Sequence, residues 1–367
     1  MYYSEIGKII EAGIDRDSEK VKSFARLLAK KMEEDGEIRG STRIINILDE
    51  KNKKKATTDS MIPLPVDQES RMNIVDITYN PKAERLILTS ATQYKIQDFL
   101  DTIRHKQKID EMGLEFSQSL LLYGSPGCGK TTVASYIASQ MGLPLVTAKI
   151  DTLISSLLGA TAKNIHKVFD FAKRQPCILF LDEFDAIAKA RNDQYELGEL
   201  KRVVNSLLQN IDDYCKEGIL IAATNHPELL DDAIWRRFQT IIEMPLPNSS
   251  EIKMMMETFP EQINRAQITE KQWEKICQSM EGLSFSDVKN IINNLTKKAI
   301  LCNNTDLSME SFIAEVYLFR NHGNFSKNDL AKYMLDHGVS KYKIIAYTGI
   351  SRRKIDQLSE SEIAYEQ

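Results

Sequence analysis

The stretch SLLLYGSPGCGKTT, residues 119–132, decides the fold of this 367-residue chain. Its first part is a short, unbroken apolar run, which is typical of a strand buried on both faces of a parallel sheet. Its second part matches GxxxxGK(S/T), the spacing of a phosphate-binding loop, and the residues that follow have helical periodicity. The stretch therefore predicts a strand, a phosphate-binding loop and a helix in that order, with a nucleoside triphosphate as the ligand.

The residue types in this loop suit phosphate chemistry. Glycines let the backbone turn so that successive N–H groups meet phosphate oxygens, and the helix N-terminus adds partial positive charge at the same place. Lys130 is expected to reach the outer phosphates, and the Thr131 hydroxyl is expected to ligate Mg²⁺. The predicted nucleotide-binding residues are Gly124, Ser125, Pro126, Gly127, Cys128, Gly129, Lys130, Thr131 and Thr132.

Composition restricts the class of protein. The formal net charge is −4, so nothing indicates indiscriminate binding to nucleic acid. The five cysteines form no CxxC pair and no zinc-ligand spacing, which favours a reducing compartment. The N-terminus lacks a signal-peptide pattern, and no apolar run is long enough to span a membrane. We expect a soluble, cytoplasmic protein.

The first 65 residues are predicted to be a helical domain followed by a linker. Ile6, Ile9 and Ile10 share one helical face, and a second apolar face follows within residues 21–28. This domain could be a small bundle, an arm that packs on the next subunit, or an adaptor-binding domain. The lysine cluster in residues 51–55 fits a solvated linker better than a nucleic-acid patch.

A third predicted strand, residues 177–181, runs into the acidic sequence DEFD. Its position, about 50 residues after the phosphate-binding loop with one strand and one helix between, is typical of a Walker B motif. Asp182 is expected to hold Mg²⁺ through its water shell. Glu183 is expected to polarise the attacking water as the general base.

The fourth predicted strand, residues 218–224, ends in Asn225. The Asn225 amide could hydrogen-bond the γ-phosphate or the lytic water, or it could cap a turn before Pro227. Further along, Arg236 and Arg237 are adjacent in an aromatic setting. They could be a surface pair, or arginine fingers that stabilise transition-state charge on a neighbour's phosphate.

The motifs GSPGCGKT, FLDEFDAIA, ATN and LDDAIWRRF, in this order and spacing, resemble the AAA ATPases over roughly residues 85–300. The style is nearest to katanin and spastin, whose helix before the last strand carries a similar run of arginines, and to compact bacterial members. The resemblance implies an α/β P-loop core with a five-stranded parallel sheet flanked by helices. It also implies a small helical lid, ATP and Mg²⁺ as ligands, and assembly into a ring, usually a hexamer.

The resemblance assigns roles to individual residues. It makes Asn225 the sensor at the γ-phosphate, and it makes Arg236 and Arg237 finger candidates that act on the adjacent subunit's ATP. Residues 199–212 resemble the second region of homology, which lies at the subunit interface. The implied catalytic residues are Glu183, Lys130, Asn225, Arg236 and Arg237, and the implied metal ligands are Thr131 and Asp182.

Two segments depart from the family pattern. Residues 155–159, SSLLG, stand where unfoldases place a pore loop with an aromatic residue, and Leu157 is apolar but not aromatic. This favours a remodeller or switch over a strong, processive unfoldase. In GLSFSDV, residues 282–288, Phe285 and Ser286 replace the usual Gly-Ala near the adenine and the sugar.

Residues 339–358 have a helix–turn–helix pattern. The first helix is predicted to end near Ile345, Gly349 to make the turn, Ser351 to cap the second helix, and Ile355 to pack inward. Five basic residues against one acidic residue give a local charge of +4, which suits phosphate contact. The segment could bind DNA, or it could be a protein-interaction module.

These features predict four parts: residues 1–65 as helical domain and linker, 66–248 as ATPase core, 249–322 as lid, and 323–367 as C-terminal module. The favoured function is an ATP-hydrolysing ring that remodels or regulates a protein partner. One alternative is a DNA-associated regulator switched by ATP. Another, implied by resemblance alone, is the ATPase of a bacterial defence or toxin–antitoxin pair with a protease.

Overall fold

The computed structural model describes residues 64–66, 73–81, 85–150, 153, 158–186, 199–260, 263–264, 268–302 and 306–363, with isolated positions among residues 25–40. The chain divides into two compact units, Met1–Pro63 and Leu64–Gln367. The predicted N-terminal helices lie largely outside the described residues, and the lysine cluster and Leu157 lie outside them altogether. The second unit carries the predicted ATPase motifs.

A six-stranded sheet forms the centre of this unit, in the order β1-β3-β4-β5-β2-β6. Strands β2 to β6 are parallel, and β1 lies antiparallel beside β3 at one edge. The strands are β1 Asp76–Thr78, β2 Ser119–Tyr123, β3 Leu145–Lys149, β4 Ile178–Asp182, β5 Ile219–Thr224 and β6 Thr240–Glu243.

The five predicted parallel strands are confirmed, and β1 adds a sixth, antiparallel strand to the five-stranded sheet that was predicted. This strand has three residues, and two of them, Asp76 and Thr78, are polar. It carries no apolar run or alternation from which a strand could be predicted. Its pairing covers the edge of β3, which would otherwise present unpaired backbone groups to other chains.

Both faces of β2 are covered. Leu120, Leu121 and Leu122 are all fully buried, and successive strand residues point to opposite faces of a sheet. One face packs against the first and third of the core helices, whose apolar residues join β2 in a single cluster. The helices of the core are α1 Ser90–Arg104, α2 Lys106–Glu111, α3 Lys130–Met141, α4 Leu158–Lys173, α5 Glu199–Tyr214 and α6 Asp232–Trp235.

The helices that follow the sheet share a second hydrophobic cluster, which extends from Ile252 to Ile355. The region predicted as a lid and the region predicted as a C-terminal module therefore contribute to one core. Within the described residues these helices are α7 Ser249–Met256, α8 Glu270–Ser279, α9 Phe285–Leu301, α10 Met309–Arg320, α11 Lys327–Asp336, α12 Lys341–Thr348 and α13 Arg352–Ile363.

Helices α12 and α13 are joined at Gly349, which ends α12 in a left-handed conformation with φ 72°. Ile350 and Ile355 are buried. The first helix continues to Thr348, beyond the predicted end near Ile345, because the left-handed residue that stops it is Gly349. Among the described helices, none combines the length and the apolar character needed to cross a membrane.

Candidate active site

The phosphate-binding loop connects the carboxyl end of β2 to the first turn of α3. Gly129, with φ 88°, precedes the helix, and Lys130 is its first residue. Gly124 admits no side chain, because a Cβ there would lie 2.2 Å from the carbonyl oxygen of Met244. The loop is thus a tight backbone turn at a helix N-terminus, which is the geometry that binds phosphate groups.

Lys130 is held against the backbone of this loop. Its Nζ donates to the carbonyl oxygens of Gly124 at 2.7 Å and Ser125 at 2.9 Å. Burial lowers the pKa of Lys130, and the nearby carboxylates of Asp182 and Asp185 oppose that shift. The two hydrogen bonds therefore fix the Lys130 ammonium group inside the loop.

The other loop residues differ in exposure. Ser125, Pro126 and Thr131 are exposed, whereas Thr132 is half-buried. Cys128 is 1% exposed, and burial raises the pKa of its thiol. Because the thiolate is the reactive form of cysteine, Cys128 acts as a small packing residue in this loop.

Asp182 ends β4 beside the loop. Its Oδ2 lies 3.5 Å from the Thr131 hydroxyl, and its Oδ1 accepts the Glu183 N–H at 2.9 Å. One hydroxyl and one carboxylate are oxygen donors of the kind that Mg²⁺ prefers, and Mg²⁺ completes its shell with phosphate and water oxygens. The described residues contain no cluster of three or more His, Cys, Asp or Glu side chains that would hold a metal ion without such help.

Glu183 follows at the tip of the strand with φ 55°. This left-handed conformation is unfavourable for a non-glycine residue and is found mostly where the surrounding structure holds it in place. The next N–H, that of Phe184, donates to the Ala223 carbonyl oxygen on β5 at 2.9 Å. The strained turn is thereby tied to the neighbouring strand.

Asn225 lies directly after β5, the strand that pairs with β4. Its backbone N–H lies 3.5 Å from Asp185 Oδ1, and its side chain is half-buried. The structure therefore places five of the predicted site residues at the carboxyl-terminal ends of the parallel strands, which we call the carboxyl edge of the sheet. They are Lys130, Thr131, Asp182, Glu183 and Asn225.

Arg236 and Arg237 lie at the amino-terminal ends of the parallel strands, which we call the amino edge of the sheet. They follow the short helix α6, which ends at Trp235, instead of lying within it. The Arg237 carbonyl oxygen accepts the hydroxyl of Ser119, the first residue of β2, at 3.1 Å. Gly124, the first residue after β2, lies five positions beyond Ser119, and a strand rises about 3.3 Å per residue, so about 16 Å separates the two ends of the strand.

The two arginines differ in their contacts. Arg237 Nε donates to the Asp212 carboxylate on α5 at 3.3 Å. Arg236 is exposed, and no described residue pairs with its guanidinium group. Both line an open cleft of about 550 Å³ together with residues that precede β2 and β5.

The lid region contacts the phosphate-binding loop directly. The Ser286 N–H at the start of α9 donates to the Gly127 carbonyl oxygen at 3.1 Å. A Cβ on Gly127 would lie 2.4 Å from Ser284 Oγ. Phe285, one of the two departures from the family pattern, packs against the cluster of the lid helices.

The contacts of Asp185, Asp212 and Ser286 were not predicted. The only signal for Asp185 is that it follows two other acids in the DEFD motif. The ion pair of Asp212 with Arg237 has no local signal. The backbone contact of Ser286 with Gly127 leaves no pattern in the sequence.

Comparison with known proteins agrees with this geometry. The family model described as "ATPase family associated with various cellular activities (AAA)" matches residues 120–246. An uncharacterized AAA family ATPase of Sinorhizobium fredii is 37% identical over 245 residues, which is 66% of this chain and 71% of that protein.

Two archaeal relatives match less of their own length. The proteasome-activating nucleotidase of Pyrococcus abyssi is 32% identical over 221 residues, 58% of this chain and 55% of that protein. A putative 26S proteasome regulatory subunit homologue of Methanothermobacter marburgensis is 37% identical over 175 residues, 47% of this chain and 46% of that protein. The chain thus matches about half the length of these two relatives.

A phosphate-binding loop after a central parallel strand, with a nearby strand that ends in Asp-Glu, defines the class of P-loop ATPases. The matches narrow this class. The chain belongs to the AAA family of ATPases, enzymes that hydrolyse ATP.

Proposed function

We propose that this AAA ATPase assembles into a ring, usually a hexamer in its family, and uses ATP hydrolysis to remodel a protein partner. The observation that supports the proposal is the separation of the two groups of candidate catalytic residues. The phosphate-binding group and the arginine pair lie at opposite edges of one sheet. A site complete in both groups therefore requires two copies of the chain.

Within one copy, ATP with Mg²⁺ supplies the γ-phosphate to be transferred to water and the cation that offsets its charge. Lys130 binds the outer phosphates, and the Thr131 hydroxyl with the Asp182 carboxylate would hold the metal ion. Glu183 accepts a proton from the attacking water. Asn225 donates its amide to the γ-phosphate or orients that water.

The neighbouring copy contributes the arginine pair. A guanidinium group is always charged and presents several donors to phosphate oxygens, so it stabilises the charge that develops during transfer. Arg236, exposed and without a partner among the described residues, is the stronger finger candidate. Arg237 is held by Asp212 and is the second candidate.

A protein is the class of partner that we propose. Two of the relatives carry names that refer to the proteasome, one as a proteasome-activating nucleotidase and one as a putative regulatory subunit homologue. Because the match covers about half of each relative, the proposal extends to a protein as the class of partner.

The mass of the protein in solution tests the ring. We expect Glu183→Gln to bind ATP without hydrolysing it. The mass of this variant should therefore rise to that of about six protomers when ATP and Mg²⁺ are added. Lys130→Ala is the matched control and should not respond to ATP. A protein that stays monomeric under every condition would contradict the ring and the finger roles together.

A second candidate function is ATP-switched binding to DNA through the helix pair α12 and α13. It is favoured by three consecutive exposed cations at the start of α13, Arg352, Arg353 and Lys354. Two other basic residues of this segment are already paired, Lys341 with Asp356 and Lys343 with Glu310, each at 2.8 Å.

Titration with duplex DNA at low and at moderate salt tests this second function. We expect salt-sensitive binding that is lost when Arg352 and Arg353 are both changed to Glu. Lys341→Glu is the control, because its ammonium is engaged by Asp356. Equal binding by the double variant would remove DNA as a partner of this segment.

A further inference from the structure

Asp185 is a buried acid that the proposed mechanism leaves without a role. It is 5% exposed and lies in the same turn as Glu183, two residues further on. Its Oδ1 accepts the Thr224 hydroxyl at 3.2 Å and lies 3.5 Å from the Asn225 N–H. One carboxylate oxygen therefore contacts both the last residue of β5 and the residue directly after it.

Thr224 extends this contact. It is 1% exposed, and its hydroxyl oxygen accepts the His226 N–H at 3.0 Å while its proton is directed to Asp185. A hydroxyl that donates and accepts in this way has a fixed orientation, and buried hydrogen bonds to an ionised group are strong. The backbone of residues 224–226 is thus held from two sides.

The contact joins the two elements whose relative position matters for hydrolysis. Glu183, the proposed base, lies in the turn after β4, and Asn225, the proposed sensor, lies after β5. These residues follow different strands, so the sheet alone fixes them only up to the ends of β4 and β5. Beyond those ends, Phe184 donates to Ala223, and Asp185 contacts Thr224 and Asn225.

We propose that Asp185 is a positioning residue for ATP hydrolysis, which acts through Thr224 to hold the Asn225 amide in register with Glu183. The inference rests on the proposed roles of Asn225 and Glu183. A group misplaced by about 1 Å can slow a reaction about 100-fold. Loss of the contacts of Asp185 with Thr224 and Asn225 should therefore lower turnover more than it weakens nucleotide binding.

Steady-state ATPase kinetics of five variants test the proposal, with melting temperature and ATP affinity measured alongside. Asp185→Ala should lower kcat about 10- to 100-fold and change KM by less than about twofold. Asp185→Asn, which keeps an acceptor oxygen, should recover much of the lost kcat. Thr224→Val should lower kcat, whereas Thr224→Ser, which keeps the hydroxyl, should match the unaltered protein. The double variant Asp185→Ala/Thr224→Val should be no slower than Asp185→Ala alone, because the two residues act as one unit.

A folded Asp185→Ala with unaltered kcat would overturn the inference, as would equal kcat values for Thr224→Val and Thr224→Ser. If Asp185→Ala does not fold, the two Thr224 variants decide alone.

Asn225→Ala distinguishes an error in the positioning role of Asp185 from an error in the proposed function. If Asn225→Ala is slow while Asp185→Ala and Thr224→Val are normal, only the positioning role is wrong. If Asn225→Ala is itself normal, the sensor role in the proposed function falls, and the positioning role that depends on it falls too.

Discussion

The two edges of the parallel sheet are organised in opposite ways. At the carboxyl edge, the charged groups are held by contacts within the chain, as Lys130 is by two loop carbonyls and Asp182 by the Glu183 N–H. At the amino edge, Arg237 is held by Asp212, but Arg236 is exposed and unpaired among the described residues. The proposed phosphate-binding groups are thus fixed by contacts within one chain, whereas the Arg236 guanidinium has no partner among the described residues.

This difference explains why one copy of the chain should be a poor enzyme. Preorganised groups stabilise charge without reorganisation at the moment of reaction, and the carboxyl edge has the groups that we propose for binding phosphate and for activating water. In addition to Lys130 and the metal ion, the proposed mechanism uses an arginine from a neighbouring copy to stabilise the charge on the transferred group. We therefore expect turnover to depend on contact between copies.

The largest effect is expected from Arg236→Ala at the amino edge. Arginine fingers are worth about 10³-fold or more in kcat, so turnover should fall by about that factor while ATP affinity stays unchanged. Steady-state kinetics and nucleotide titration measure the two quantities. Arg104→Ala is the control, because that arginine pairs with Asp101 on the surface of α1. Normal turnover by Arg236→Ala would leave the amino edge without a catalytic role.

Glu183→Gln changes the carboxyl edge. Removal of the proposed general base should lower kcat about 10²- to 10⁴-fold, with ATP still bound. Glu243→Gln is matched to it, because Glu243 is also a carboxylate at the end of a parallel strand. Single-turnover hydrolysis distinguishes the two variants, and equal losses in both would show that the effect is not specific to the Asp-Glu turn.

Gly127→Ala tests the contact between the lid and the carboxyl edge. Gly127 and Gly129 both have left-handed backbones, with φ 77° and 88°, so an alanine is strained at either position. Only at Gly127 would the added Cβ meet the lid, 2.4 Å from Ser284 Oγ, because nothing lies within 4 Å of it at Gly129. Overpacking of this kind costs about 1–3 kcal/mol.

Melting temperatures of Gly127→Ala and Gly129→Ala without nucleotide measure the cost of the clash with Ser284. Gly127→Ala should be the less stable of the two variants, and its KM for ATP should be the higher because the lid is displaced from the loop. Equal stability of the two variants would mean that the lid does not rest on the loop in solution.

The smallest effect is expected from Asp212→Asn. This change removes the ion pair of Arg237 with Asp212, which is half exposed and contributes about 1 kcal/mol or less to stability, and leaves the hydrogen bond from Arg237 to the Ala233 carbonyl oxygen. ATPase activity should fall only a few-fold, because Arg236 is untouched. Asp213→Asn, on the same helix and paired with Lys216, should leave activity unchanged. Indistinguishable activities would show that Asp212 does not position a finger.

Features carried by local sequence pattern were predictable, and features that depend on distant contacts were not. The strands predicted at residues 177–181 and 218–224 agree with β4 and β5 to within one residue at each end, because buried strands are continuous apolar runs. The phosphate-binding loop and the Asp182-Glu183 turn have fixed local spacing. The strand β1 lacks any such pattern, and its place depends on pairing with β3 across a long stretch of chain.

The same reason applies within the candidate site. The bond between Thr224 and Asp185 joins residues 39 positions apart, and the bond between Arg237 and Asp212 joins residues 25 apart. Neither spacing is a motif, so the sequence shows which residue types are present without showing which of them meet. Whether Arg236 and Arg237 form a surface pair or reach a neighbour likewise depends on where the sheet places them.

In the proposed ring, each working site takes its phosphate-binding groups from one copy and its arginine from another. A mixture of Glu183→Gln and Arg236→Ala chains tests it most directly, because each is inactive alone and each retains what the other lacks. In randomly mixed rings from equal amounts, about a quarter of the sites should combine an intact Glu183 with an intact neighbouring Arg236. We predict that ATPase activity reappears in the mixture and peaks near equal proportions. A mixture no more active than its separate components would contradict the shared site.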